Sequence, residues 1–133
     1  MTGRSMRLID TSAWIDALRH TGDIETRRAV DEATRSGEAA TCDMVLLELW
    51  IGARGAPEQD AIAQLALNLT ILPINADVWK SAHALARRCR AAGVTVPTTD
   101  LVIAACADHH GVDLLERDAH FAQIAKARAK TKK

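Results

Sequence analysis

Short apolar runs alternate with longer helical patterns along most of the chain, and this alternation limits the possible folds more than any other feature. The short runs lie at 6–9, 39–42, 70–74, 94–97 and 112–115. Each has the length of a short β-strand, and the proline within 70–74 is typical of a strand at a sheet edge. Because strands joined through helices pair in parallel, the sequence predicts a three-layer α/β/α sandwich with a central parallel sheet of about four to five short strands.

The segments between these runs have apolar residues every three or four positions, which is helical spacing. Helices are predicted at 24–35, 43–51, 58–68, 77–90, 100–109 and 119–126. The segment at 100–109 is apolar nearly all round, which indicates a central, buried helix. A chain of 133 residues has the usual size of one domain. We therefore expect a single domain over 1–133, with 126–133 as a flexible basic tail.

Charge and composition favour a protein of the cytoplasm. Seventeen basic residues balance seventeen acidic ones, so any nucleic-acid-binding site must be a local patch. The longest apolar stretch is far shorter than the ~20 residues that span a bilayer, and the first residues have no signal-peptide core. The three cysteines lack the spacing of a metal site, which favours buried thiols in a reducing compartment. We expect no association with a membrane.

Four acidic residues stand at the edges of apolar runs: Asp10, Glu48, Asp100 and Asp118. A buried carboxylate costs several kcal/mol unless a partner compensates its charge. Asp10 and Asp118 each follow a predicted strand, and Asp100 opens a helix just past another. The carboxyl ends of parallel strands share one edge of a sheet, where active sites of such folds form. Glu48 lies on a helix among apolar neighbours that should face inward, so it could point at the same edge.

Carboxylates that converge at one edge would repel each other unless a cation neutralised them. Hard oxygen ligands of this kind suit Mg²⁺ or Mn²⁺. Such a cluster is what metal-assisted cleavage of a phosphodiester requires, because the metal activates water and stabilises the leaving oxygen. The residues alone therefore predict a divalent-metal site with hydrolytic chemistry.

Four segments in order resemble the successive motifs of a PIN domain: 10–15, 48–52, 99–105 and 114–121. Their order and the chain length are most similar to the VapC toxins of prokaryotic type II toxin–antitoxin modules. The resemblance implies a Mg²⁺- or Mn²⁺-dependent endoribonuclease with RNA as substrate. It also implies a homodimer that is held inactive by a VapB-type antitoxin, which typically wraps the toxin with a C-terminal segment near the acidic pocket.

The resemblance also assigns roles to individual residues. Those that match the acidic quartet of the family, as metal ligands and catalytic groups, are Asp10, Glu48, Asp100 and Asp118. Thr11 or Ser12 matches the hydroxyl position beside the first acid, which supports the metal site or its water. Glu116 is close enough to Asp118 in sequence to serve as the fourth acid in its place.

Two other functions fit parts of the pattern. A catalytically silent PIN-like module would bind RNA or a protein without cutting, but the intact quartet favours an enzyme. A phosphotransfer domain would form an aspartyl phosphate at Asp10. That chemistry usually needs a second acid two residues later or an acid pair before it, and the chain has Ser12 and Leu8-Ile9 at those positions.

Overall fold

A parallel β-sheet forms the centre of the molecule in the computed structural model, which describes residues 5–117 and 119–131. The four strands of this described part are β1 (Arg7–Ile9), β2 (Ala39–Thr41), β3 (Thr70–Ile71) and β4 (Asp113–Leu115). They are arranged in the order β3-β2-β1-β4, and every neighbouring pair is parallel. All four strands therefore end at the same side of the sheet, here called the carboxyl edge.

Seven helices of the described residues flank this sheet. They are α1 (Thr11–Leu18), α2 (Ile24–Arg35), α3 (Asp43–Ile51), α4 (Gly55–Asn68), α5 (Ala76–Ala91), α6 (Thr98–His110) and α7 (Ala119–Thr131). Helices joined to a parallel sheet cover both of its faces, which is the predicted α/β/α sandwich. The prediction of a parallel sheet with four to five short strands is confirmed.

The core is centred on β1 and α6. Leu8 and Ile9 of β1 are fully buried, and Leu8 pairs with Leu114 of β4 across the sheet. In α6 every residue from Val102 to Ala107 is buried, as predicted for a helix that is apolar nearly all round. Apolar burial stabilises the fold by roughly 1.5–3 kcal/mol for each large side chain. The start of α6 and the end of β1, where Asp100 and Asp10 lie, thus adjoin fully buried residues of the core.

The predicted strand at 94–97 is wrong. These residues are not in the sheet but connect α5 to α6. Gly93 turns the chain with a φ of 71°, and the Val94 N–H donates to the Cys89 carbonyl, so the segment is folded back on the end of α5. Pro97 has no N–H to offer a neighbouring strand. Asp100 is consequently placed by the start of a helix and not by the end of a strand.

Other helix bounds also differ from the predictions. The sequence pattern did not predict α1, although Asp10 caps it, because a helix of eight residues shows little more than two turns of periodicity. Helix α4 begins at Gly55 and not at 58, since its Pro57 lies in the first turn, where no N–H is needed. Helix α7 extends to Thr131, so the first part of the predicted flexible tail at 126–133 is helical.

The cysteines agree with expectation, because Cys42, Cys89 and Cys106 are free and buried. In the part of the chain that the structure describes, none of the helices has the length and apolar character needed to cross a membrane.

Candidate active site

Asp10 lies at the carboxyl edge directly after the central strand β1, and only 2% of it is exposed. Its backbone N–H donates to the Leu115 carbonyl at 2.9 Å, which extends the pairing of β1 with β4. Its side chain caps α1, since Oδ2 accepts from the Ser12 backbone N–H at 3.1 Å and from the Ser12 hydroxyl at 2.6 Å. The carboxylate is therefore held by its own turn, and the turn is held by the sheet.

The charge of Asp10 is only partly compensated by these contacts. Burial raises the pKa of Asp10 above its ordinary value, the Ser12 hydrogen bonds oppose that shift, and the negative charge of Glu48 adds to it. Both Ser12 donors are neutral groups, so they stabilise the carboxylate without cancelling its charge. A buried carboxylate next to another acid is a site where a cation is favourable.

Glu48 lies on α3, which begins directly after β2 and therefore starts at the same carboxyl edge. It is half-buried, and its Oε1 accepts a hydrogen bond of 2.7 Å from the Thr11 hydroxyl. The two hydroxyls thus have separate partners, because Thr11 orients Glu48 whereas Ser12 holds Asp10. The sequence suggested that one of the two hydroxyls supports the site, and the structure gives each a contact with a predicted acid.

Asp100 lies in the first turn of α6 and is 5% exposed. The positive end of a helix dipole lies at this turn and favours the ionised carboxylate. Helix α3 packs against both α1 and α6, so the helices next to Asp10, Glu48 and Asp100 are neighbours in the fold. Asp10 and Asp100 are two of the three buried polar or charged residues among those described.

The fourth predicted acid, Asp118, lies outside the described residues. The preceding residue, Arg117, lies beside the Asp10 turn, because its backbone N–H donates to the Ser12 hydroxyl oxygen at 3.2 Å. Glu116, the alternative fourth acid, is exposed next to this contact, just past the end of β4. The Ser12 hydroxyl therefore links the Asp10 turn to the loop after β4.

These donors have the chemistry that a hard divalent cation needs. Carboxylate oxygens are the usual protein ligands of Mg²⁺ and Mn²⁺, and two of the predicted ligands are buried acids. Within residues 5–117 and 119–131, however, no three His, Cys, Asp or Glu residues are grouped closely enough to hold a metal ion. The complete four-acid metal site thus stays a prediction.

Two surface depressions are lined in part by α1, the helix that follows Asp10. Neither was predicted from the sequence. A groove of about 510 Å³ lies between α1 and α2, and Trp14, Leu18, Arg27 and Arg28 are among its lining residues. A cavity of about 290 Å³ lies between α1, α3 and α4 and includes Glu48 in its wall. Each lining set combines side chains from different helices, and the periodicity of one helix does not indicate how it packs against another.

Comparisons with known proteins agree on one family. The PIN domain model matches residues 7–127. Ribonuclease VapC11 of Mycobacterium tuberculosis is 35% identical over 126 residues, which cover 91% of this chain and 92% of the relative. Among solved structures, the sarcin-ricin loop cleaving toxin VapC20 of Mycobacterium tuberculosis is similar with a TM-score of 0.69, at 22% identity over 87% of this chain and 92% of that one. VapBC-5, a toxin–antitoxin system of the same organism, gives a TM-score of 0.67 at 23% identity over 90% of both chains.

Proposed function

The chain belongs to the PIN domain family, within which it matches the VapC ribonucleases, and from that premise we propose that it is a Mg²⁺- or Mn²⁺-dependent endoribonuclease neutralised by a cognate VapB-type antitoxin. The observation that supports the activity most directly is the buried Asp10 carboxylate, held by neutral donors beside Glu48 at the carboxyl edge. A neutral residue at this position would avoid the cost of burying a charge, so stability alone does not explain an aspartate there.

The proposed metal ligands are Asp10, Glu48, Asp100 and Asp118. A bound divalent ion supplies Lewis-acid stabilisation of the phosphodiester and lowers the pKa of water. The residues of the chain do the positioning. Ser12 keeps Asp10 in one orientation through two hydrogen bonds to Oδ2, and Thr11 holds Oε1 of Glu48. Positioned groups of this kind reduce the reorganisation that catalysis requires.

The groove between α1 and α2 supports the proposal of an antitoxin partner. Its floor contains Trp14, which is 3% exposed and whose indole Nε1 lacks a hydrogen-bond partner among the described residues. The unpaired donor costs stability, and the ring gives the groove an apolar floor. Arg27 and Arg28 line the same groove with one acid, Asp31, so an antitoxin segment that carries a carboxylate would complement its net positive charge.

Helix α3 supports the proposal of a homodimer. Leu47, Trp50 and Ile51 are spaced three and four residues apart, so they share one face of the helix. Their exposed fractions are 54%, 45% and 79%. A contiguous apolar face of this kind marks a protein interface more often than a free surface. A second copy of the chain is the partner that we propose for this face.

The activity is tested by expressing three forms of the chain in a bacterial host and mapping the 5′ ends of cellular RNA soon after induction. The forms are the wild type, Asp100→Asn and the exposed-acid control Asp60→Asn. We expect new RNA ends with the wild type and the control, and their loss with Asp100→Asn. Growth arrest with the same RNA ends in all three forms would instead indicate a binding module that does not cut.

The metal is tested separately on the purified protein. Titration with Mn²⁺ should release or absorb heat with the wild type and with Asp60→Asn, and the double substitution Asp10→Asn, Asp100→Asn should remove the signal. Unchanged Mn²⁺ binding by the double variant would exclude the proposed site.

A further inference from the structure

We propose that the cavity beside Glu48 binds one unpaired nucleotide of the RNA, next to the phosphate that is cut. We call this cavity the α1–α4 pocket; its lining includes Ile15, Arg19, Glu48, Leu49, Arg54 and Ile62. The inference rests on the proposed function, because it takes RNA as the substrate. It adds a substrate subsite that extends from Glu48 to residues beyond the four predicted acids.

The position of the pocket follows from Glu48, which belongs both to its wall and to the acidic site. Thr11 follows Asp10 directly in the chain and donates to Glu48 Oε1 at 2.7 Å, so one end of the pocket opens at the acids. A strand of RNA whose phosphate lies at these acids has its neighbouring nucleotide within reach of the pocket. The volume of about 290 Å³ is small for a segment of a protein partner, whereas the groove at α1 and α2 has about 510 Å³.

The walls of the pocket are aliphatic and firmly held. Leu49 and Ile62 are 3% and 1% exposed, and Ile15 from α1 packs against the same core. Ligand sites commonly combine apolar walls with a few polar groups that fix orientation. The flat face of a base is apolar, and proteins that recognise RNA prefer unpaired bases, which they place against aromatic side chains or arginine planes.

Two arginines of the lining, Arg19 and Arg54, bring positive charge to the pocket. Arg19 donates to Glu58 from Nε at 3.2 Å and from Nη2 at 3.4 Å, which fixes the plane of its guanidinium. The Arg54 backbone N–H donates to the same carboxylate at 2.9 Å. With Glu48 and Glu58 in the same lining, the formal charges of the pocket cancel, and Arg54 is the cation whose side chain is exposed.

The exposed Arg54 guanidinium is the group of this lining that an anion of the kind presented by a nucleic-acid backbone would contact. We infer that the base lies between the aliphatic wall and the Arg19 plane, and that its outer phosphate contacts Arg54. An RNA strand would then be held at two points, with a cation on the acids at one phosphate and Arg54 at the next.

Gly52 gives a steric test of the pocket. It lies in the lining, its φ is −94°, and a Cβ there would meet its nearest atom, the Glu48 carbonyl oxygen, at 3.7 Å. A side chain is therefore accepted without backbone strain, and Gly52→Leu would occupy the space of the base. The matched control is Ala91→Leu, which adds the same bulk at an exposed position on α5.

Arg54 gives an electrostatic test. Its side chain is exposed, and its bond to Glu58 uses the backbone N–H, which every substitution except proline keeps. Arg54→Gln therefore removes the charge and leaves this contact in place. Lys80→Gln on α5 removes a charge from an exposed position and serves as its control.

Binding is measured in EDTA, without cleavage, by the fluorescence anisotropy of a short, labelled, single-stranded RNA of mixed sequence. We expect Gly52→Leu to raise the Kd about tenfold, which is the scale of one lost base contact. Arg54→Gln should raise the Kd at low salt and reduce the slope of log Kd against log salt by about 0.7, the value for one phosphate contact on a single strand. Both α5 variants should bind as the wild type does.

The outcomes separate the pocket from the proposed function. If Gly52→Leu and Arg54→Gln bind RNA as the wild type does, the proposed subsite is wrong. If the wild type nevertheless cleaves RNA, the proposed function is unaffected. Weaker binding by both variants supports the pocket even if the wild type cuts no RNA. A wild type that does not bind the RNA, or equal losses in the α5 controls, also overturns it. If Gly52→Leu fails to fold, as judged by circular dichroism, Arg54→Gln alone decides.

Discussion

Replacing the buried acid Asp10 by Asn should make the metal-free protein more stable while it removes the proposed activity. The ionised carboxylate is 2% exposed, and burying such a charge carries a penalty of several kcal/mol. The two hydrogen bonds from Ser12 offset about 1–3 kcal/mol of that penalty. Asn keeps an oxygen at the position of Oδ2, so both bonds can form without the buried charge.

We expect a net gain of about 1–2 kcal/mol in the free energy of unfolding, since part of the hydrogen-bond energy depends on the charge. For a chain of this length the gain corresponds to a rise of about 4–8 °C in Tm. The assay is thermal denaturation in EDTA, followed by circular dichroism. Asp60→Asn is the control, because an exposed acid should change stability by no more than about 0.5 kcal/mol.

The sign of the effect should reverse when the metal is present. A ligand that binds only the folded state stabilises it by about 3 kcal/mol when its free concentration is about a hundred times Kd. Mn²⁺ should therefore raise the Tm of the wild type and of Asp60→Asn but not that of Asp10→Asn. A lower Tm for Asp10→Asn in EDTA, or a wild type that is insensitive to Mn²⁺, would refute this reasoning.

The same carboxylate predicts a dependence on pH. Because burial raises the pKa of Asp10 above 3.8, the folded protein takes up this proton at a higher pH than the unfolded chain does. Its contribution to stability is complete below the ordinary pKa and is lost as the pH rises through the raised value. The stability advantage of Asp10→Asn in EDTA should therefore be largest at neutral pH and shrink as the pH is lowered.

Two further substitutions test the support of the site and the core. Thr11→Val keeps the shape of the side chain but removes the 2.7 Å hydrogen bond to Glu48. We expect the affinity for Mn²⁺ to fall about tenfold in calorimetric titration, with little change in Tm. An unchanged affinity would contradict a positioning role for Thr11. Ile103→Ala in the fully buried part of α6 should cost about 2–5 kcal/mol in urea denaturation, whereas Ile51→Ala, at a residue 79% exposed, should cost far less unless the α3 face is an interface.

The sequence predicted those parts of the fold in which a local pattern and the tertiary structure agree. Helices α2 and α3 have the predicted bounds. Asp23 caps the start of α2 and Gly37 turns the chain after its end, whereas α3 starts after Cys42 without a side-chain cap and ends before Gly52. The segment 94–97 has an apolar, β-branched pattern but no neighbouring strand to pair with, so tertiary context overrode its propensity. The predicted strand at 94–97 was also the reason given for the position of Asp100, and that reason is wrong. Its burial in the first turn of α6 still agrees with the prediction of a buried acid.

The candidate site was predictable where it depends on single residues beside strands. Asp10 follows the central strand, and the parallel sheet fixes which edge it occupies. The pairing of Thr11 with Glu48 crosses 37 positions of sequence, and the α1–α4 pocket joins three helices. The periodicity of a single segment does not indicate contacts between distant segments, so these contacts could not be predicted from the sequence.

The hydrogen bond between Ser12 and Arg117 has a consequence for the order in which the site is assembled. These residues are 105 positions apart, and β1 gains its second neighbour only when β4 pairs with it. During synthesis at about 5–20 residues per second, a nascent chain that ends before residue 113 contains Asp10, Glu48 and Asp100 but lacks the strand that holds the Asp10 turn. This long-range contact can form only after Arg117 has been synthesised, so the Asp10 turn gains its support from β4 only after all three of these acids are present in the chain.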